Sequence, residues 1–143
     1  MRKTMNANPA SGRVLVVDDN ADMRALLRDV LQDEGYTVHE ARDGQMALDW
    51  LRQTAERWVV LTDHLMPRLN GAGLIAAVLT DSQLAGRHAF IYMTATDRVI
   101  PPDLQEQLAG LQAPILGKPF SFDACLAAVA EAVARLAAAG VPA

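Results

Sequence analysis

Two hydrophobic periodicities alternate along the chain. Continuous apolar runs such as "VLVV" at 14–17 and "WVVL" at 58–61 predict strands buried on both faces. Between them, apolar residues recur at helical spacing, for example over 20–35 and over 121–136. Across the chain this pattern predicts five strands alternating with five helices. The strands are placed within 13–17, 36–41, 58–63, 89–95 and 114–118.

Strict alternation of strands and helices predicts right-handed crossovers and a parallel sheet covered on both faces. The expected fold class is therefore a doubly wound α/β fold with five helices on two faces. In such sheets, ligands bind beyond the carboxyl ends of the strands. Residues that end the strands are accordingly the first candidates for chemistry.

Length and composition favour one domain. The chain has 143 residues, of which 51% are hydrophobic, enough for a single full core. We expect a flexible leader over 1–12, the domain over 13–137 and a tail over 138–143. That tail is too short to fold, which favours a stand-alone domain, although its Ala, Gly and Pro content would also suit the start of a linker in a longer protein.

Charge and targeting features exclude several classes. A net charge of −4 with scattered Lys and Arg argues against direct nucleic-acid binding. The start of the chain lacks the apolar core of a signal peptide, and no apolar run reaches the ~20 residues that span a bilayer. The lone Cys125 has no disulfide partner and is interpreted as a packed helix residue. These features predict a cytoplasmic protein that does not enter membranes.

Chemically distinctive side chains end four of the five strands: Asp18 and Asp19, Asp63, Thr94 and Lys118. Three carboxylates at one edge need a cation to remain ionised together, and oxygen ligands of this kind suit Mg²⁺. One carboxylate could then attack phosphorus as a nucleophile. A lysine and a hydroxyl nearby would hold the phosphoryl oxygens.

Four motifs occur in an order that resembles the receiver domain of two-component response regulators. They are "VVDDN", "TDHLMPRLNG", "MTA" and "GKPF", and the resemblance covers about residues 13–137. It implies a flavodoxin-like sheet in the order 2-1-3-4-5. It also implies that the Lys118–Pro119 peptide bond is cis.

The resemblance assigns a role to each matching residue. Asp63 would be the phosphoacceptor, and Thr94 and Lys118 would hold the phosphoryl group. For Mg²⁺, Asp19 and Asp63 would be direct ligands, with the main-chain carbonyl of Leu65 as a further ligand. Asp18 would act mostly through a water on the metal.

The same resemblance implies a signalling switch that accepts a phosphoryl group and is not an enzyme. The donor would be a sensor histidine kinase or a phosphotransfer protein. A downstream protein would bind the face formed by the fourth helix, fifth strand and fifth helix, and a phosphorylation-dependent homodimer is left open.

Three positions depart from the family pattern or modulate it. Ile115 stands where the family often has Tyr or Phe, so switching through Thr94 is expected to proceed without an aromatic side chain at 115, with Tyr92 a candidate substitute. Leu65 and Thr96 stand where the family tunes the lifetime of the phosphoryl group. Neither side chain orients an attacking water well, which predicts a long-lived phospho-Asp63.

Other interpretations are weaker. A phosphatase of the haloacid dehalogenase type needs a second acid two residues after its nucleophile, but that position counted from Asp18 is Asn20. A flavin or nucleotide binder would need a Gly-rich phosphate loop after the first strand. Asp18 could alternatively serve only as a helix cap. His64 is interpreted as a surface-facing side chain, since a lone histidine rarely binds metal.

Overall fold

The computed structural model describes residues 12–95 and 98–140, and these form alternating strands and helices. The strands are β1 (Arg13–Val17), β2 (Thr37–Ala41), β3 (Val59–Asp63), β4 (Ala89–Ala95) and β5 (Ile115–Lys118). The helices are α1 (Ala21–Asp33), α2 (Gly44–Gln53), α3 (Gly71–Leu79), α4 (Ser82–Arg87), α5 (Pro102–Gly110) and α6 (Phe122–Gly140).

All strand pairs are parallel, and the sheet order is β2-β1-β3-β4-β5. The predicted doubly wound fold and strand order are thereby confirmed. In register, Asp63 on β3 lies beside Met93 on β4, and Tyr92 on β4 lies beside Ile115 on β5. The carboxyl ends of the central strands therefore meet at one edge of the sheet.

The described chain contains six helices, where the sequence pattern predicts five. The additional one is α4, a six-residue helix capped by Asp81, whose side chain accepts a hydrogen bond from the Gln83 N–H at 3.1 Å. Only Leu84 in this helix is buried. A single buried position gives no helical periodicity, which is why the pattern does not reveal α4.

Two apolar layers cover the sheet. On one face, strand residues such as Leu15, Val60 and Phe90 pack against α2, α3, α4 and α5. On the other, residues such as Val16 and Leu61 pack against α1 and α6. Apolar residues of β1, β3 and β4 are buried on both faces of the sheet, which explains the continuous apolar runs. Cys125 lies in the second layer, as expected for a packed thiol.

Side-chain caps fix the starts of several helices, among them α1 and α2. Asn20 caps α1 by accepting from the Met23 N–H at 2.9 Å, and Asp43 caps α2 by accepting from the Met46 N–H at 2.8 Å. Since Asn20 is the cap, the hypothesis that Asp18 serves only as a cap is wrong.

The boundaries of the described chain bear on the expected leader and tail. The α6 helix continues to Gly140, beyond the expected domain end at 137. Residues 1–11 of the expected leader and residues 141–143 of the expected tail lie outside the described residues. Within 12–95 and 98–140, no helix has the length and apolar character needed to cross a membrane.

Candidate functional site

Three carboxylates converge at the carboxyl edge of the sheet. Asp18 and Asp19 directly follow β1, and Asp63 ends β3, the neighbouring strand. One oxygen from each lies within 4.8 Å of the others. Because parallel strands end at the same edge, the acidic pair and the third aspartate meet as the sequence predicts.

Asp18 is the buried member of the three, with 1% of its surface exposed, whereas Asp19 is exposed. Its Oδ1 accepts a hydrogen bond from the Asn20 N–H at 2.9 Å, and its own N–H donates to the Ala41 carbonyl at 3.1 Å. These bonds hold the turn after β1 against the end of β2. Asp18 therefore has a fixed position.

Lys118 at the end of β5 joins two of the acids. Its Nζ donates to Asp63 Oδ1 at 2.9 Å and to Asp18 Oδ2 at 3.4 Å. The following bond, Lys118–Pro119, is cis, as the resemblance implies. The ammonium thus lies directly against the carboxylate predicted to accept the phosphoryl group.

Burial and neighbouring charges shift the pKa values of Asp18 and Lys118. Burial and the nearby charge of Asp63 raise the pKa of Asp18, although the Asn20 N–H and Lys118 oppose the rise. For Lys118, burial lowers the pKa, but the hydrogen bond to Asp63 and the charges of both carboxylates outweigh it and raise the pKa overall. The Lys118 ammonium therefore remains charged, but its single positive charge does not balance the negative charges of three carboxylates.

Thr94 lies one residue past Met93, the register partner of Asp63, and is 4% exposed. Among the described residues, its Oγ1 is a buried hydroxyl without a hydrogen-bond partner. A buried hydroxyl usually has a partner, because leaving it unpaired costs about 1–3 kcal/mol. Thr94 therefore offers a donor to an oxygen that enters the site.

The donor set fits a hard divalent cation. It consists of carboxylate oxygens only, two of them on an adjacent pair and the third on the neighbouring strand. Mg²⁺ prefers oxygen ligands and is usually held by one or two carboxylates with several waters. The acidic cluster is therefore compatible with Mg²⁺.

The remaining predicted positions surround this centre. Leu65 lies two residues beyond Asp63, and its side chain is 52% exposed. Ile115 begins β5 and is 42% exposed, beside a groove of about 480 Å³ that Val99, Ile100 and Leu108 also line. Thr96 lies outside the described residues.

His64 differs from the expectation of a surface-facing side chain. Its ring is half-buried and forms a hydrogen bond through Nδ1 with the Tyr92 hydroxyl. Burial and the charge of Arg98 lower the pKa of His64, against the opposing effect of Asp63. The reason for the difference is the phenol of Tyr92, which supplies a polar partner inside the protein.

Sequence reasoning also misses Arg24. From the first turns of α1, its guanidinium donates to the Asp18 carbonyl at 2.8 Å and pairs with Glu40 of β2 at 3.2 Å. Glu40 also pairs with Arg28 at 3.2 Å. An arginine shortly after an acidic pair is the signal that could have indicated this support.

A doubly wound sheet with an acidic cluster, a lysine and a buried hydroxyl at its carboxyl edge defines a class of phosphoryl-handling signalling domains. Comparison with known proteins identifies the family. Residues 14–130 match the family model described as "Response regulator receiver domain". The chain belongs to this family and is a receiver domain of two-component signalling.

Individual relatives agree. The chain is 35% identical over 124 residues to "Probable chemotaxis protein CheY" of Rhizobium etli, covering 85% of this chain and 91% of that protein. It is also 38% identical over 119 residues to "Response regulator MprA" of Mycolicibacterium vanbaalenii, covering 80% of this chain and 47% of that regulator. The chain therefore spans about half the length of the MprA regulators that it matches.

Solved structures give the same fold. A CheY-like receiver domain from Methanospirillum hungatei superposes with a TM-score of 0.72 at 27% identity, covering 90% of this chain and 97% of that one. The chemotaxis protein CheY4 of Vibrio cholerae superposes with a TM-score of 0.70 at 28% identity, covering 86% and 99%.

Proposed function

We propose that this receiver domain accepts a phosphoryl group on Asp63 from a phosphohistidine of a sensor kinase or a phosphotransfer protein. An Asp63 oxygen would form a bond to phosphorus while the phosphorus–nitrogen bond of the donor breaks, and the histidine would take up a proton. The observation that carries the proposal is the contact of Lys118 Nζ with Asp63 Oδ1 at 2.9 Å, inside a cluster of three acids.

Each residue at the edge has a part in this transfer. Lys118 would move its ammonium from the carboxylate pair to the phosphoryl oxygens, and the unpaired Thr94 hydroxyl would donate to another of them. Asp18, Asp19, Asp63 and the Leu65 carbonyl would hold Mg²⁺. When bound, that ion supplies positive charge against the carboxylates and the phosphoryl oxygens.

Residues 13–137 would act as a cytoplasmic signalling switch, an acceptor of the phosphoryl group and not an enzyme with its own substrate turnover. A stand-alone receiver resembling the CheY relative and the N-terminal part of a longer regulator resembling MprA are both compatible with the match lengths.

The output surface would be the face of α5, β5 and α6, which corresponds to the predicted fourth helix, fifth strand and fifth helix. Val99, 84% exposed, and Ile115 are apolar side chains that line its groove. Phosphorylation would bias this face through Thr94, and a protein partner or a second copy of the chain would bind it.

Incubation with acetyl phosphate and Mg²⁺ tests the proposal. Intact-mass spectrometry is expected to show one added phosphoryl group, labile to hydroxylamine, in the wild type but not in Asp63→Asn. Asp49→Asn, a change in an exposed acid on α2, serves as the matched control and should be modified like the wild type. Turnover of added phosphate esters would instead support a phosphatase, and flavin binding without modification would support a flavin protein.

A further inference from the structure

Tyr92 is a fully buried tyrosine on β4, with 0% of its surface exposed. Its ring belongs to the apolar layer beneath α3 and α5, and its hydroxyl forms a hydrogen bond with His64 Nδ1. A buried phenol ordinarily needs such a partner. His64 directly follows the phosphoacceptor candidate, so the bond joins β4 to the chain that leaves Asp63.

Gly71, the first residue of α3, lies against the same phenol. A Cβ built on Gly71 would lie 2.9 Å from Tyr92 Cε1, 3.0 Å from its hydroxyl oxygen and 2.3 Å from the Asp63 carbonyl oxygen. The Gly71 N–H donates to the His64 carbonyl at 2.9 Å. Both ends of the segment 64–71 therefore contact each other and rest on Tyr92.

The middle of this segment lacks comparable support at Leu65, whose side chain is 52% exposed. The Leu69 carbonyl accepts a hydrogen bond from the Gly44 N–H at 2.8 Å, so the segment is held there as well as at its two ends. The end at His64 is the one directly next to Leu65, so the Leu65 main chain depends most on what holds His64. Arg68, within it, has a positive φ of 66°, and its exposed guanidinium lies 3.8 Å from the buried carboxylate of Asp43.

We propose that Tyr92 and His64 are positioning residues whose hydrogen bond fixes the segment 64–71 and so places the Leu65 carbonyl for Mg²⁺. The link to Mg²⁺ rests on the proposed function, whereas the support of the segment does not. Tyr92 then acts as a fixed support, because its ring is enclosed and Gly71 covers its hydroxyl edge. This role differs from the mobile aromatic substitute for Ile115 that the sequence suggests.

The substitution Tyr92→Phe removes only the hydroxyl and tests the proposal. Tyr36→Phe is the matched control, since Tyr36 is a partly buried tyrosine that packs in the other apolar layer with α1 and α6. The first measurement is hydrogen exchange of the Gly71 amide by NMR in metal-free protein. Exchange is expected to accelerate about 3- to 10-fold in Tyr92→Phe, as for the loss of one hydrogen bond, and to stay unchanged in Tyr36→Phe.

The second measurement is the Kd for Mg²⁺ by titration calorimetry, which should rise by a similar factor in Tyr92→Phe. His64→Ala should reproduce both effects, and the double variant His64→Ala with Tyr92→Phe should add little to either single change. Should Tyr92→Phe fail to fold, His64→Ala, in a half-buried side chain, provides both measurements.

The outcomes separate the two proposals. Unchanged Gly71 exchange in Tyr92→Phe, or equal acceleration in Tyr36→Phe, would overturn the support role. Fully additive effects of the two substitutions would overturn the pairing. Accelerated exchange with an unchanged Mg²⁺ Kd would overturn the link to the metal. A wild-type protein that binds no Mg²⁺ would refute that link and the proposed function, while the exchange result would still decide the support role.

Discussion

Substituting Asp18 by Asn should stabilise the metal-free protein. Asp18 is 1% exposed and shares the edge with two other carboxylates whose oxygens lie within 4.8 Å. The Asn side chain keeps an oxygen that can accept the 2.9 Å bond from the Asn20 N–H. The substitution therefore removes one negative charge while changing the shape little.

Simple electrostatics sets the scale of the effect. With an effective permittivity of about 20, two like unit charges separated by 4.8 Å repel by ~3.5 kcal/mol, and the 3.4 Å contact with Lys118 attracts by ~5 kcal/mol. Repulsion from Asp63, with a smaller share from the exposed Asp19, roughly offsets that attraction. The cost of burying the Asp18 carboxylate then remains, and it decides whether Asp18→Asn raises or lowers the free energy of unfolding.

The raised pKa of Asp18 also predicts that removing the charge stabilises the protein, since it means that the folded protein disfavours the ionised carboxylate. We expect Asp18→Asn to raise the free energy of unfolding by about 1–2 kcal/mol at neutral pH, which is ~3–8 °C in Tm for a domain of this size. As the pH falls through the raised pKa toward 3.8, the wild type takes up the proton and the difference should shrink.

Mg²⁺ should reverse the order of stability. A cation that binds only the folded wild type at a hundred times its Kd adds ~2.7 kcal/mol, and the variant, with one acid fewer, should gain much less. Thermal unfolding followed by circular dichroism in EDTA and in excess MgCl₂ measures both effects. Asp33→Asn, at the exposed end of α1, is the control.

A lower Tm for Asp18→Asn in EDTA would refute this reasoning, because it would mean that attraction to Lys118 outweighs burial and repulsion. An equal gain from Mg²⁺ in both proteins would show that Asp18 does not contribute to a cation site.

Three other predictions concern separate groups. Burial lowers the pKa of His88 to about 4, so stability should fall by up to ~3 kcal/mol as the pH drops from 6.5 toward 4, where the unfolded chain binds the proton more tightly. Urea unfolding of His88→Asn should lack this loss, and an identical loss would contradict the assignment. Burial raises the pKa of the Cys125 thiol to about 11, so a disulfide reagent should label it no faster than the protein unfolds, and rapid native labelling would contradict this. Phospho-Asp63 should be lost faster in the double variant Leu65→Asn with Thr96→Glu, by ~10²-fold if these positions orient the attacking water, and an unchanged or slower loss measured by intact mass would contradict the shielding argument.

The sheet and the edge residues could be predicted because local rules determine them. The run at 14–17 is apolar throughout since all four residues are fully buried between two helical layers. Once the strands are parallel, residues that follow β1 and β3 must meet, whatever the details of the loops. The acidic cluster therefore followed from strand ends alone, without any side-chain geometry.

The parts that sequence reasoning missed depend on contacts between distant residues. Arg24 reaches Glu40 on another element, 16 residues away, and His64 reaches Tyr92 across 28 residues. Neither contact produces a periodic pattern in the sequence. Each depends on a side-chain rotamer and on which residue of another strand lies within reach. Both contacts also act on the main chain near the acids, Arg24 through the Asp18 carbonyl and Tyr92 through Gly71. A spacing pattern can therefore identify the groups that carry the chemistry, whereas the residues that hold those groups in place become visible only when the strands are brought together.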